Sequence, residues 1–285
     1  MFFSLVGAVL CAAPCPVEAA TELWMVAPDR SEKPWTASDA PREKARAVVL
    51  LPGLFIHPIR PAKAAQPWLR DWQEPKSDLV KALAPDFDVF SFSYAQTIAL
   101  DEIAKSAGMR DAIVRLRKAG YAEIVLVGHS AGGVIARQFV ENYPTAGVTK
   151  VIAVAAPFAG VELANAKVGY PKVQAPFVQS LAPAARAEAA KANKNAPGKD
   201  VSFACVVCKL WLIDADGLVP TRSQWTDDLQ KCGVPIVCSP AHHFVVMQYA
   251  PAIKSITELA REKLVRWSPE ETERARKVLF GGAVK

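Results

Sequence analysis

Ser130 stands in the run Gly128-His129-Ser130-Ala131-Gly132, a G-x-S-x-G stretch. A serine hydroxyl is a poor nucleophile near neutral pH. It needs a base to take its proton and a carboxylate to hold that base in one tautomer. The five-residue pattern alone is common, but its setting is less so. Glu123-Ile124-Val125-Leu126-Val127 before it reads as a buried strand, and Gly133 through Val140 after it reads as a helix. A serine wedged between the two occupies a strained turn, with glycines relieving the crowding and the helix N-terminus lending partial positive charge. The stretch therefore predicts a nucleophile elbow at Ser130. The bland alternative is a Gly-rich turn of some other α/β fold.

The chain has four histidines, so the search for a base is short. His129 lies inside the elbow, and its side chain is expected to point away from Ser130. His57 precedes the nucleophile. An elbow serine uses its partners in the order Ser, acid, His, which leaves His242 and His243. His243 is favoured because Phe244-Val245-Val246-Met247 would begin a packed final helix. Surface loop histidines are the structural alternative. The acid is expected from the loop after Leu210-Trp211-Leu212-Ile213, read as a strand. Asp214 and Asp216 both qualify, with Glu162 a distant third. Asp216 is preferred because Gly217-Leu218-Val219-Pro220 lets a carboxylate turn back across the sheet ends. Two backbone N–H groups must hold an oxyanion, and the pattern offers Ala131 and Leu54. Phe55, Trp68, Trp72, His129 and Phe158 are expected to line a substrate site, although Trp68 and Trp72 serve equally to pack a cap onto the core.

These groups must be positioned by alternating strands and helices. Arg46–Leu51, Asp88–Tyr94, Lys150–Val154 and Leu210–Ile213 read as strands. Ser77–Leu83, Leu100–Lys118, Ile253–Arg266 and Pro269–Leu279 read as helices. The alternation predicts an α/β fold: a mostly parallel sheet with helices on both faces and reactive groups at the strands' carboxyl ends. Residues 21–45 read as surface wrapping. Residues 161–202, rich in Ala, Lys, Pro and Asn, interrupt the alternation and read as a small cap or lid over the site, or else as a surface insertion.

At 285 residues the chain can bury one large core, and 51% apolar with 22% charged residues is an ordinary globular balance. The formal charge of +6 gives a pI of about 9.0, which reads as a solvated basic surface and allows contact with anionic membrane surfaces. No cluster of cations interleaved with aromatics supports nucleic-acid binding. Met1 to Val17 carries no charge, and Val17-Glu18-Ala19 fits a small-x-small cleavage rule, so residues 1–19 read as an export signal and 20–285 as the mature domain. The leader lacks the usual Lys or Arg near Met1. Pro14 and Pro16 and its short length disfavour a membrane anchor. Beyond it remain Cys205, Cys208, Cys232 and Cys238, an even number that would form two disulfides in an oxidising compartment, with pairing open. Their spacings do not suit zinc.

The elbow, the Leu51-Pro52-Gly53-Leu54 loop, the Asp216–Pro220 turn and the late His243 together resemble the α/β-hydrolase superfamily. Ala156-Pro157-Phe158-Ala159-Gly160 looks like the Pro-x-x-Gly segment of lipases and GPI-inositol-deacylase-like esterases. The likeness covers roughly residues 46 to 260. Two departures stand out: Pro52-Gly53 replaces the His-Gly of the oxyanion loop, and Phe158 replaces a histidine in the Pro-x-x-Gly segment. The resemblance implies an exported serine ester hydrolase acting through an acyl-enzyme on a small-molecule or lipid ester. An acyltransferase of the same fold, or a non-catalytic envelope binding protein, are the alternatives. No cofactor or metal is expected, because the chemistry needs only protein groups and water.

Overall fold

Arg46–Leu51 forms a strand whose residues alternate between two cores. Ala47, Val49 and Leu51 join the larger hydrophobic cluster, while Val48 and Leu50 join the second on the other face. An apolar run with no polar alternation is what a sheet covered on both sides requires. Each such Val or Leu stabilises the fold by about 2 kcal/mol. The computed structural model describes residues 19–28, 33–36, 42–166, 168–192 and 201–281. It contains an eight-stranded sheet: β1 (Thr21–Val26), β2 (Lys33–Pro34), β3 (Arg46–Leu51), β4 (Asp88–Tyr94), β5 (Glu123–His129), β6 (Lys150–Val154), β7 (Ser202–Cys208) and β8 (Ile236–Ser239), in the order β2-β1-β4-β3-β5-β6-β7-β8. β3 through β8 run parallel, and β1 pairs antiparallel with β2 and β4.

Helices cover both faces: α1 (Asp78–Leu83), α2 (Leu100–Lys105), α3 (Ala107–Lys118), α4 (Ala131–Asn142), α5 (Ala175–Gln179), α6 (Pro183–Ala192), α7 (Thr221–Gln224), α8 (Asp227–Lys231), α9 (Ala250–Arg261) and α10 (Pro269–Phe280). Ser77 caps α1 by accepting from Val80 N at 3.1 Å. The register of β3 on β5 sets Leu51 opposite Gly128. That pairing brings the Pro52–Leu54 loop beside the elbow. Among the described residues no helix is long and apolar enough to cross a membrane.

Several expectations need correction. The strand before the acid is Ser202–Cys208, not Leu210–Ile213. Both runs are short and apolar, so composition cannot rank them, but only the first pairs with β6 and β8. Leu210–Ile213 is a turn with Trp211 92% and Leu212 97% exposed. Residues 21–45 do not simply wrap the surface: Thr21–Val26 pairs with β4 along its length, burying Leu23 and Val26. The helix expected over Leu100–Lys118 breaks at Ser106, whose hydroxyl caps α3 by accepting from Met109 N at 3.2 Å. The helix expected to start at Phe244 begins instead at Ala250, after a 3-10 turn at Val246–Gln248; Phe244 and Val245 are exposed, whereas Val246 and Met247 pack into the second core.

The four described cysteines are free thiols. Cys205 and Cys208, three apart on one strand, fall into opposite cores, and Cys238 is in register with Val207. Burial pushes the Cys205 thiol up to about 12. The expected disulfides are therefore not formed. The expected leader lies outside the described residues, apart from Ala19. In the segment expected to form the cap, 3-10 turns at Glu162–Asn165 and Lys172–Gln174 precede α5 and α6. The segment is pinned to the body by hydrogen bonds from His57 N to Gln174 Oε1 (3.0 Å) and from Leu100 N to Ser180 Oγ (3.1 Å).

Candidate active site

Ser130 joins β5 to α4 with φ 53° and ψ −125°, a left-handed conformation for a residue with a side chain. Such backbone costs on the order of 1–3 kcal/mol. It is held by Ser130 N donating to Val154 O at 2.8 Å. The flanking glycines permit close approach. A Cβ on Gly128 would stand 2.4 Å from Gly132 O, and one on Gly132 would stand 2.3 Å from Leu51 O.

His243 Nε2 lies 3.0 Å from Ser130 Oγ, and His243 Nδ1 lies 2.7 Å from Asp216 Oδ2. The carboxylate can only accept, so Nδ1–H donates to Asp216 and Nε2 is free to accept the serine proton. Asp216 is fully buried, and its Oδ1 accepts from Leu218 N at 3.0 Å and Val219 N at 2.7 Å. Gly217 at φ 94° allows that turn. His243 N donates to Asp216 O at 2.9 Å, fixing the two backbones together. The alternatives fall elsewhere. Asp214 pairs with Lys209 at 3.3 Å, His242 lies against Gly217, and exposed Glu162 accepts from Asn165. His57 packs edge-on against Phe55 and Trp68.

His129 does not point away. Its Nε2 donates to His243 O at 3.0 Å, and its ring is 5.0 Å from that of His243. Nδ1 is therefore an acceptor, buried and without a partner among the described residues. Burial, and then the neighbouring His243, hold its pKa well below the ordinary imidazole value. His129 remains neutral and supports the backbone of His243.

The amides of Leu54 and Ala131 have no acceptor among the described residues. The Leu54 loop is clamped by residues that the sequence did not single out. Gln96 Nε2 donates to Gly53 O at 2.9 Å, its Oε1 accepts from Phe55 N at 2.9 Å, and Tyr94 OH donates to Pro52 O. Their only signal in the sequence is that Tyr94 ends β4 and Gln96 follows it, and β4 lies next to β3 in the sheet.

A cavity of about 710 Å³ opens onto Ser130 and His243, walled by Leu54, Phe55, Trp68, Trp72 and His129, with Val161, Leu163 and Tyr170 from the cap segment. Arg70 also lines it, although no local pattern around that residue points to a site. Trp72 is buried, so it does not offer an exposed grip. Phe158 lines a different cavity, beneath the Arg137 guanidinium at 5.1 Å. The reason is local: Phe158 N is drawn to Ser223 O at 2.9 Å, and only Pro157 faces Ser130. Among the described residues no cluster of three His, Cys, Asp or Glu side chains is placed to hold a metal.

Residues 48–276 match the family model described as the alpha/beta hydrolase family. No protein of curated function matches the chain by sequence. Solved structures do match. Bacillus licheniformis lipase BlEst2 in mature form is 13% identical with a TM-score of 0.60, over 78% of this chain and 94% of that one. The metagenomic carboxyl esterase MGS0156 is 16% identical with a TM-score of 0.52, over 90% and 87%. Phospholipase PlaB from Legionella pneumophila is 13% identical with a TM-score of 0.56, over 83% and 63%. At these identities the likeness to each is one of fold. The family match spans most of the chain, and the chain belongs to the α/β-hydrolase family, with a lipase- and esterase-like fold.

Proposed function

We propose that this protein is a serine ester hydrolase that works through an acyl-enzyme. The observation that carries the proposal is the unbroken hydrogen-bonded line from Ser130 Oγ through His243 to Asp216, with steps of 3.0 and 2.7 Å. Ser130 Oγ attacks the ester carbonyl carbon as His243 Nε2 takes its proton, and Asp216 stabilises the resulting imidazolium. The tetrahedral oxyanion is held by the free amides of Ala131, at the start of α4, and Leu54, each worth about 3 kcal/mol of barrier. His243 returns the proton to the departing alcohol as the C–O bond breaks. Water then attacks the acyl-enzyme by the same route and releases the acid.

The mostly apolar walls of the Ser130 cavity suit a small-molecule or lipid ester. Exposed Leu163, Val168 and Phe244 on its rim support peripheral contact with a lipid surface. The lipase, esterase and phospholipase named among the structural neighbours agree with this class. The uncharged stretch Met1–Val17 supports export. Replacing Ser130 with Ala is expected to lower p-nitrophenyl ester turnover by several orders of magnitude while the protein stays folded. Undiminished turnover in that variant rules the proposal out.

A further inference from the structure

The Ser130 cavity contains one cation without a counter-ion. Arg70 lines it, and among the described residues no carboxylate comes within ion-pair distance of its guanidinium and no acceptor takes its side-chain N–H groups. Its neighbour Asp71 also lines the cavity and raises the Arg70 pKa against burial, but it is exposed and outside ion-pair distance. The guanidinium lies 4.2 Å over the Phe55 ring and 5.0 Å from that of Trp68. Contact through ring faces leaves the N–H edge of the planar group available in its own plane. Burial lowers its pKa, so the charge is partly stripped of water, although a guanidinium at that site stays protonated.

Arg70 is also fixed in place. Its amide donates to Gln73 Oε1 at 3.1 Å, and its carbonyl accepts from Gln73 N at 2.7 Å. The buried Gln73 side chain donates to Leu50 O on β3 at 3.1 Å. No Asp or Glu occurs between Glu43 and Asp71, whereas Arg60 and Lys63 belong to the same post-β3 segment. A half-buried guanidinium without an ion-pair partner, on a turn held by hydrogen bonds, gains from an anion and is well shaped to fork onto one.

We infer that Arg70 selects substrates carrying an anionic oxoacid, a carboxylate or a phosphate monoester, elsewhere on the ester that reaches Ser130. The inference rests on the ester-hydrolase reading above and narrows its substrate class. Neutral esters leave Arg70 unsatisfied. Anionic ones gain a charge-assisted, two-pronged contact.

The test uses two matched pairs of substrates with the full chain. The first pair, p-nitrophenyl hydrogen adipate and p-nitrophenyl hexanoate, places the anion on the acyl side. The second, 1-butyrylglycerol 3-phosphate and 1-butyrylglycerol, places it on the alcohol side. The wild type is expected to favour the anionic member of at least one pair in kcat/KM, and the responding pair identifies the source of the anion. Arg70→Gln is expected to lower that anionic-to-neutral ratio on the order of tenfold to a hundredfold, and Arg70→Lys to keep part of it. A preference for the neutral member in both pairs, or a ratio unchanged by Arg70→Gln, overturns the inference. If the wild type cleaves none of the four, the ester-hydrolase reading fails by itself. Calorimetry with adipate monomethyl ester and glycerol 3-phosphate then decides the anion site. Binding of either probe that weakens at least tenfold in Arg70→Gln sustains it, and no binding, or binding equal in both proteins, overturns it.

Discussion

Pro157 and Phe158 are neighbours in the chain, yet they open onto different cavities. Pro157 faces the Ser130 cavity of about 710 Å³. Phe158 faces another of about 800 Å³, along the body of α4. The second is no smaller, so size does not single out the functional site. What separates the two is how their less exposed groups are satisfied, for the exposed Arg222, 4.9 Å over the Phe280 ring, and Lys231 stand without a carboxylate partner among the described residues in the second as well. In the second cavity Arg137 is held by Glu141 at 2.8 Å and by Asp228, and Arg186 is held by Asp101. The partners raise the Arg137 pKa against the opposing effect of burial. In the Ser130 cavity the serine hydroxyl, the Arg70 guanidinium and two backbone amides are held in place but not used up. A closed ion-pair network holds structure together, whereas open donors in a mostly apolar cavity are free to take a ligand.

The comparison makes opposite predictions for substitutions on its two sides. The largest effect belongs to the Ser130 side. Asp216→Asn keeps Oδ1 to accept from Leu218 and Val219 but presents an amide N–H to His243 Nδ1. The imidazole is then held in the wrong tautomer, and kcat should fall on the order of 10⁴ with little change in melting temperature. On the second side, Arg137→Met removes the cation between Glu141 and Asp228. It should cost roughly 3 kcal/mol of stability in denaturant unfolding and leave the kcat of the folded protein near that of the wild type. A large loss of kcat there would erase the distinction between the cavities.

A smaller effect comes from His129. Its folded pKa is depressed, so the folded chain binds fewer protons than the unfolded chain below about pH 6.5. Stability therefore rises with pH through that window, and it is lost on acidification by up to about 1.4 kcal/mol per pH unit. His129→Gln should flatten the slope of melting temperature against pH below about 6.5, with His57 present in both proteins as a common background.

The legible and illegible parts of this molecule divide by range. The elbow was readable because strand, glycines, serine and helix lie within about twenty residues and constrain each other locally. Asp216 was readable from its Gly217 turn and from chain order. The packing expected of Phe244-Val245-Val246-Met247 holds only for its second half, since Val246 and Met247 are buried while Phe244 and Val245 are exposed, and it does not by itself separate His243 from His242. What selects His243 is its backbone bond to Asp216 O, a contact across 27 positions. The position of β7 depended on register with β6, which competing apolar runs do not reveal. Arg70 and Gln96 left no local mark, because their roles come from what the fold sets beside them. The cysteines showed the converse: an even count suggested bridges, but the alternation of side chains along β7 separates Cys205 from Cys208.

The most direct test of the account is to treat the folded protein with a fluorophosphonate and map the adduct by mass spectrometry. One covalent adduct is expected, at Ser130, formed quickly in the wild type and greatly slowed in His243→Ala. A folded protein that forms no adduct, or forms one at another serine at the same rate in both, would contradict it.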